Sequence, residues 1–446
     1  MVDNHRTGGR TQSKPEEANS HSLGSDGSKA HTERKGAENN EGQEERQKTN
    51  ESGPHRKAPT NRIQSLIMHT NATNKTGRII FLDQIKAIMI ALVIATHTIL
   101  VGTLFTTDLK QIIEAAPAYE AASFWFGWIC NTFYMNILFL ISGYLLPSSV
   151  QKRGVENFTT HRLLRLGAPL IVAIFILNNI APIEGTFIPN STVFGIKFNE
   201  LPLNRIGPQW FLLVLILLNS IYCLWISIRK SKFIVDNTKP LPGIRSWLIS
   251  AIILGTLELI MGYFSGFWSG LKDSNFDGLG YQGMHLFTYA FLFFLGCKAA
   301  SHQWLERINK SLALRWLQLS LALVLCLLAA NYAPLIASIG RPHLQPIKPI
   351  MAFLTPLIGW EFIAAILTWN QGHEQLNSNW LVKAGKDSFG AYLIHIPILA
   401  GIMVSFYSLG IKNIWIIGVG STAIAIVLSF STSHQLRRIP IIKSII

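Results

Sequence analysis

Charged residues are scarce in this sequence: they make up 14% of its 446 positions, whereas apolar residues make up 49% and the mean hydropathy is positive. The apolar residues occur in runs of about 20, the length that a helix needs to cross a hydrocarbon core of about 30 Å. This pattern excludes an ordinary soluble domain. It predicts an all-α fold, a polytopic transmembrane helical bundle whose surroundings are the lipid bilayer.

Cysteine is also scarce. Four cysteines occur, all inside or at the ends of apolar runs and none in a Cys-x-x-Cys pair: Cys130, Cys223, Cys297 and Cys326. A disulfide framework and a thiolate metal site are therefore not expected, and the four are interpreted as small core residues. The P-loop, dinucleotide-binding, HExxH and EF-hand motifs are absent as well. The sequence predicts neither a bound cofactor nor a metal.

Negative charge is in deficit, because the formal net charge is +14 and the isoelectric point is about 9.7. Such a balance occurs in nucleic-acid-binding proteins. Here the basic residues lie in short connections between apolar runs, where they set the orientation of a membrane protein. No nucleic-acid partner is expected, and no pattern in the sequence predicts an oligomeric state.

The N-terminal stretch lacks both apolar residues and periodicity. Residues 1–76 are dominated by Gly, Ser, Asn, Glu and Lys, which predicts a disordered polar cytoplasmic tail. The stretch does not have the pattern of a secretory signal. Met68 lies just ahead of the first apolar run, so translation starting there would give a protein without the tail. The membrane domain is predicted over 78–438, followed by a short end at 439–446.

Ten apolar segments follow the tail. They are predicted to span the membrane at about 79–104, 123–147, 164–182, 209–228, 246–264, 285–301, 312–332, 349–369, 389–408 and 412–432. An even number places both termini on one side. The connections on that side carry more than twice as many Lys and Arg residues as the opposite ones, which predicts that both termini are cytoplasmic.

The first apolar segment, Arg78 to Val101, carries ionisable residues on one face. Lys86 and His97 lie three turns apart with an offset of about 20°, and Asp83 falls about 40° from the same line. A charge at the centre of a bilayer costs about 3 kcal/mol or more. This face is therefore expected to line protein or a water-filled cavity.

His97 is the candidate catalytic residue. A neutral imidazole in a cavity can act as a general base near neutral pH, whereas the alternative is a histidine that only packs. Lys86 on the same face favours function. It lies about 16 Å from His97 along the helix, too far for contact, so the two would serve different parts of one long ligand. A cation at the cytoplasmic mouth and a base deep in the membrane suit a coenzyme A thioester.

The connection before the third segment is strongly basic. Arg162 and Arg165 are three residues apart, so on a helix they project from one face as a paired clamp for phosphates. An ordinary positive connection is the alternative interpretation.

Seven further residues are candidates for a supporting or acceptor-binding role. Four are ionisable groups in or near apolar segments, where function is the default expectation: Glu258, His285, Glu361 and His395. Buried pairing is the alternative for the two glutamates, and a structural role at a proline kink is the alternative for His395. Three lie in or beside outward loops, where an aromatic ring and charges suit a sugar: Glu184, Arg205 and Trp210. Interface anchoring explains Trp210 equally well.

Five motifs, in register from Arg78 to about Arg438, resemble the acyltransferase family 3 membrane proteins. They are Leu82-Asp83 with Lys86 and His97, Phe139-Leu140-Ile141-Ser142-Gly143-Tyr144-Leu145, Arg162-Leu163-Leu164-Arg165, Pro208-Gln209-Trp210-Phe211-Leu212, and Tyr392-Leu393-Ile394-His395-Ile396-Pro397. Trp210 and the stretch 163–169 are most similar to the branch that includes the periplasmic-glucan succinylating proteins.

The resemblance implies an acyltransferase in a bacterial inner membrane. Such a protein moves an acyl group, often acetyl or succinyl, from cytoplasmic acyl-CoA to a hydroxyl of an extracytoplasmic carbohydrate. His97 would deprotonate that hydroxyl, and Lys86, Arg162 and Arg165 would hold the coenzyme A end. Asp83 is expected to pair with one of these cations. Lys86 departs from the family pattern, which more often has arginine, and lysine lacks the bidentate fork.

Two other classes of function compete with this interpretation. A transporter or export component for a glycan or lipid-linked sugar would also place polar residues inside a bundle. Two halves related by an internal repeat would favour it, and no such repeat is visible. A receptor or scaffold would not need a base at position 97.

Overall fold

The structure is a computed structural model that describes residues 80–101, 116–185, 187, 192–193, 196–197, 206–230, 233–236, 238–263, 286–337, 348–372, 379–440 and 442. The predicted tail and Met68 lie outside the described residues, and so do Arg205 and His285. Glu184 and Glu258 lie in described helices, but their side chains are not among the described groups.

The described residues are helical almost throughout, which confirms the all-α prediction. The helices are α1 (Ile80–Val101), α2 (Pro117–Arg153), α3 (Val155–Val172), α4 (Asn178–Gly185), α5 (Trp210–Arg229), α6 (Ile244–Tyr263), α7 (Leu286–His302), α8 (Lys310–Ala337), α9 (Lys348–Gly372), α10 (Asn379–Ser408) and α11 (Ser421–Leu436). A π-helical segment, Ala173–Leu177, joins α3 to α4, and another, Ile416–Gly420, leads into α11. Gly207–Gln209 and Leu305–Arg307 form 3₁₀ turns.

The extended structure in the described part is one small hairpin. Strand β1 (Thr192–Val193) pairs antiparallel with β2 (Ile196–Lys197), with Thr192 opposite Lys197 and Val193 opposite Ile196.

A helix is present at each of the ten predicted segments, but the count of ten membrane spans is not confirmed. Among the described residues, six stretches are long and apolar enough to cross a membrane: Phe81–Thr98, Pro117–Arg153, Val155–Ile180, Gly207–Arg229, Trp380–Ser408 and Ile416–Leu436. Three other apolar stretches are shorter: Ile244–Leu257, Ala313–Cys326 and Thr355–Trp369. Helix α7 has 17 residues, fewer than the 18 of the shortest of the six. The fold is that of a multi-pass membrane protein.

Helix α1 lies inside the bundle. It packs against α2, α9, α10 and α11, and Leu82, Ile85 and Ile94 are at most 1% exposed. Helix α3, by contrast, exposes large apolar side chains such as Leu164 and Ile171, as a helix bordering lipid does. Of the ionisable residues of α1, Asp83 is buried, whereas Lys86 and His97 keep part of their surface exposed.

Helices α1 and α10 run parallel. Near their first turns the backbone of Asp83 lies so close to Gly385 that a Cβ at position 385 would overlap its carbonyl group. Farther along, the rings of His97 and His395 are in contact. The two contacts come in the same order along both helices, as expected when the first and ninth predicted segments cross in one direction.

Helices α2 and α7 approach each other closely through two glycines. A Cβ at Gly143 would overlap the carbonyl oxygen of Phe293, and a Cβ at Gly296 would overlap that of Leu140. Small residues at such crossings let membrane helices pack backbone to backbone. This contact joins the helix that carries the Phe139-to-Leu145 motif to the helix that carries Tyr289.

We expect Gly143→Ala to destabilise the protein, because the added methyl group must push α7 away. Overpacking of this kind costs about 1–3 kcal/mol. Gly127→Ala is the matched control, since it lies in the same helix and a Cβ there meets nothing within 4 Å. Thermal unfolding of both variants in detergent measures the difference, and equal unfolding temperatures would contradict the packing described here.

Candidate active site

Two histidines from helices far apart in sequence meet inside the bundle. The ring of His97 on α1 and the ring of His395 on α10 have centroids 5.0 Å apart and planes at 72°. His395 is fully buried, whereas His97 is partly exposed. The structure therefore joins the residue predicted to be catalytic to one of the supporting candidates.

Both imidazoles are held in the same tautomer. Nδ1 of His97 lies 2.8 Å from the carbonyl oxygen of Val93, and Nδ1 of His395 lies 2.6 Å from that of Tyr392. A carbonyl oxygen only accepts, so each Nδ1 carries the proton and donates it. Each Nε2 then keeps its lone pair. Within the described part of the chain, Nε2 of His395 is buried without a hydrogen-bond partner.

The Pro208-Gln209-Trp210 motif is anchored to the segment that carries His395. The hydroxyl of Tyr392 donates to the carbonyl oxygen of Pro208, and the side-chain amide of Gln209 donates to the carbonyl of Leu393 at 3.4 Å. Gln209 is completely buried. Two motifs 184 residues apart are thus joined at the turn of α10 that precedes His395.

Trp210 belongs to an aromatic layer and is not an isolated anchor at the membrane interface. Its ring stacks on Tyr289 with centroids 5.3 Å apart, and Tyr289 stacks on Phe139 at 4.8 Å. Phe139 meets Phe211 edge to face at 4.7 Å. The layer joins α2, α5 and α7, and Trp210 is partly exposed. Each such aromatic pair adds about 0.5–1.5 kcal/mol beyond area burial.

At the other end of α1, Asp83 and Lys86 form an ion pair. Nζ of Lys86 lies 3.2 Å from Oδ1 of Asp83, and the side chains are 28% and 9% exposed. The predicted pairing of Asp83 with a cation is therefore present. His97 lies three turns away on the same helix, so the lysine and the imidazole occupy opposite ends of the ionisable face of α1.

The two arginines of the predicted clamp have different surroundings. Arg162 lines a small cavity with Asn219 and Cys223 of α5, and its Nε is buried without a hydrogen-bond partner among the described residues. Arg165 is exposed and lies within electrostatic reach of Arg153 and Arg437. The positive groups at this end therefore come from three helical segments, and in sequence Arg437 is indistinguishable from a charge that only orients the protein in the membrane.

Glu361 occupies a separate place between α8 and α9. Its side chain is 3% exposed and bonds to Ser320, while Oε2 has no hydrogen-bond partner in the described ranges. No described contact joins it to the histidine pair. Among the described residues there is also no group of three His, Cys, Asp or Glu side chains that could hold a metal.

Comparison with known proteins identifies the family. A family model for an acyltransferase domain, acyltransferase 3, matches residues 79–434. The chain belongs to the acyltransferase 3 family. This result confirms the resemblance that the five motifs indicate, and the motifs from Leu82 to His395 all lie within the matched range.

Curated relatives share the family but cover only part of the chain. Glucans biosynthesis protein C of Salmonella typhi is 27% identical over 241 residues, which are 50% of this chain and 58% of the relative. The protein of the same name from Escherichia coli strain SMS-3-5 is 28% identical over 169 residues, 36% of this chain and 41% of the relative. The chain thus matches 58% of the length of the first relative and 41% of the length of the second. No solved structure matches it.

Proposed function

We propose that this acyltransferase 3 family protein is an integral-membrane O-acyltransferase. It moves an acyl group of the acetyl or succinyl class from cytoplasmic acyl-CoA to a hydroxyl of an extracytoplasmic carbohydrate. The observation that carries this proposal is the pair of imidazoles, His97 and His395, each with its Nε2 lone pair available inside the bundle. The protein lies in a bacterial inner membrane with both termini on the cytoplasmic side, and its membrane domain extends over 78–438.

The chemistry follows from the tautomers. Nε2 of His97 accepts the proton of the acceptor hydroxyl while the oxygen attacks the thioester carbonyl carbon. The new C–O bond forms, the C–S bond breaks, and the proton passes from the imidazolium to the leaving coenzyme A thiolate. Nδ1 of His97 stays bonded to the Val93 carbonyl throughout, which fixes the ring. Nε2 of His395 has no hydrogen-bond partner among the described groups, so it is available to accept a hydrogen bond from a hydroxyl of the bound acceptor.

The donor lies along α1. The Lys86 end of this helix faces the cytoplasm, and Lys86 and Arg165 hold the phosphates of coenzyme A there, with Arg162 supporting them from the side of α5. The separation of about 16 Å between Lys86 and His97 suits a ligand with a long neutral arm between its anionic head and its reactive carbon. A small free anion could not reach both ends.

The acceptor approaches from the opposite side of the membrane. The curated relatives carry names that refer to glucan biosynthesis, which supports a glucan as the acceptor. Trp210 offers a partly exposed aromatic face in a layer that is joined to the His395 segment through Pro208 and Gln209. Sugar rings stack on such faces through their apolar C–H groups, and Glu184, Arg205, Glu258 and His285 are the remaining acceptor-site candidates.

We expect His97→Asn to reduce kcat by about 10² to 10⁴-fold, because a general base contributes a factor of that size. Purified protein in nanodiscs is supplied with isotope-labelled acetyl-CoA or succinyl-CoA and a glucan, and mass spectrometry measures the labelled glucan. His302→Asn is the control, since it removes a buried histidine that bonds to Asp236 and lies far along the chain from the pair. Unchanged activity of His97→Asn would contradict the assignment, and His97-dependent passage of unmodified glucan would favour a transporter.

Two substitutions of His395 distinguish the role of Nε2, which accepts a hydrogen bond, from the role of Nδ1, which bonds to the Tyr392 carbonyl. His395→Asn keeps a donor near the Tyr392 carbonyl but loses the group at Nε2, whereas His395→Gln places a polar group near Nε2. We expect kcat to fall more in the Asn variant than in the Gln variant, with KM for acyl-CoA unchanged in both. An equal fall in both variants, matched by lower unfolding temperatures, would mean that His395 only packs.

The two arginines of the Arg-x-x-Arg motif are expected to respond differently to substitution. Arg165→Gln should raise KM for acyl-CoA about tenfold to a hundredfold, since a hydrogen bond to a charged group contributes about 1.5–3 kcal/mol. Arg162→Gln should lower the unfolding temperature more than Arg165→Gln does, because its guanidinium faces the cavity against α5. Steady-state kinetics and thermal unfolding test this contrast. Identical effects of the two variants would contradict this difference and support the prediction that the two arginines form an equivalent pair.

A further inference from the structure

Arg437 is held in a fixed direction by a buried carboxylate. Its Nη1 donates to Oδ1 of Asp387 at 2.7 Å, and the side chain of Asp387 is 6% exposed. The other carboxylate oxygen of Asp387 lies 3.0 Å from Nδ1 of His434, and the hydroxyl of Ser433 donates to the Asp387 carbonyl at 2.6 Å. These bonds join the first turns of α10 to the end of α11. Arg437 therefore has a defined orientation, unlike a solvated surface arginine.

The charge around Arg437 is not balanced. Arg437 and Arg153 both lie within electrostatic reach of Arg165, and Arg162 adjoins Arg153 and Arg165; we call these four residues the arginine cluster. Among the ion pairs of the described residues, Asp387 is the one carboxylate that pairs with the cluster, and Arg437 is the one member of the cluster that it contacts. Positive charges gathered without counter-ions attract an anion.

Arg437 also keeps donor capacity for that anion. Its Nε is buried and has no hydrogen-bond partner in the part of the chain that the structure describes. The bond to Asp387 occupies Nη1, so the guanidinium has further N–H groups available. The Arg437 side chain is oriented by a carboxylate and remains 24% exposed, which suits a guanidinium that binds a phosphate.

Arg438, the residue after Arg437, shows that pairing with a buried carboxylate is not a general property of the basic residues in this part of the chain. Arg438 is exposed and takes part in none of the ion pairs of the described residues. A charge that only orients the protein in the membrane would resemble Arg438. The buried carboxylate and the vacant Nε set Arg437 apart.

We propose that Arg437, oriented by Asp387, is part of the phosphate-binding end of the donor site and binds a phosphate of acyl-CoA together with Arg165. This inference rests on the proposed function. Asp387 and His395 lie on one helix, about 12 Å apart along its axis. Helix α10 thus orients the phosphate-binding arginine at one end and carries the buried imidazole of the reaction at the other, and α1 repeats this arrangement with Lys86 and His97.

The test measures binding of coenzyme A to the full chain in nanodiscs by isothermal titration calorimetry. We expect Arg437→Gln to weaken the affinity for coenzyme A, and for its phosphate-bearing half 3′,5′-ADP, about tenfold to a hundredfold. Affinity for pantetheine, which has no phosphate, should be the same in the variant and the wild type. Arg437→Lys should recover part of the loss, and the matched control Arg438→Gln should bind coenzyme A within twofold of the wild type.

The outcomes separate the inference from the proposed function. If the wild type binds coenzyme A and Arg437→Gln binds it equally well, the role of Arg437 is overturned while the donor assignment stands. If the wild type binds no coenzyme A, the proposed function itself fails. Should Arg437→Gln not fold, Asp387→Asn retains the arginine but not its orientation, and it should weaken coenzyme A binding several-fold with no effect on pantetheine. Unchanged coenzyme A binding by Asp387→Asn would then overturn the inference.

Discussion

The parallel packing of α1 against α10 is the contact on which the rest of the site depends. One end is fixed by the absence of a side chain at Gly385, which allows the backbone of Asp83 to approach, and the other end is the contact between His97 and His395. Between these points most residues of both helices are buried; His395 is completely buried and His97 stays partly exposed. A bulky residue at position 385 would separate the helices and with them the two imidazoles.

The two ends of this helix pair carry different groups, charged at one end and neutral at the other, because the membrane disfavours charge in its interior. Ionised groups are costly in hydrocarbon, so positive charge collects at one end, where Lys86 is paired with Asp83 and the arginine cluster faces Asp387. Around the histidine pair, the polar groups are imidazoles and an amide that donate hydrogen bonds to backbone carbonyl oxygens. A ligand that is anionic at one end and reactive at the other matches this division, and the proposed donor has that form.

Sequence patterns predict the elements of this arrangement better than their contacts. Helical periodicity places Asp83, Lys86 and His97 on one face, and a helix is present at each of the ten predicted apolar runs. The contact between His97 and His395 joins residues almost 300 positions apart, and no local pattern encodes such a partnership. The role of Arg437 could not be predicted for the same reason, because its partner Asp387 is 50 residues away. In sequence, a basic residue at this position is also indistinguishable from a charge that only orients the protein in the membrane. The spacing of Arg162 and Arg165 predicts equivalent roles, whereas in the structure Arg162 faces α5 and Arg165 is exposed.

The central claim is that a coenzyme A molecule bound at the arginine cluster brings its sulfur to position 97. A variant with the four native cysteines replaced by alanine and His97→Cys introduced tests it directly, because coenzyme A disulfide can exchange with that thiol only if the arm reaches it. Intact-mass spectrometry should show one coenzyme A attached at position 97, with a slower reaction when Arg165→Gln is added. The same background with Thr98→Cys, a fully buried neighbour, should stay unmodified. If position 97 fails to react while the wild-type protein binds coenzyme A, the donor does not lie along α1 and the account is contradicted.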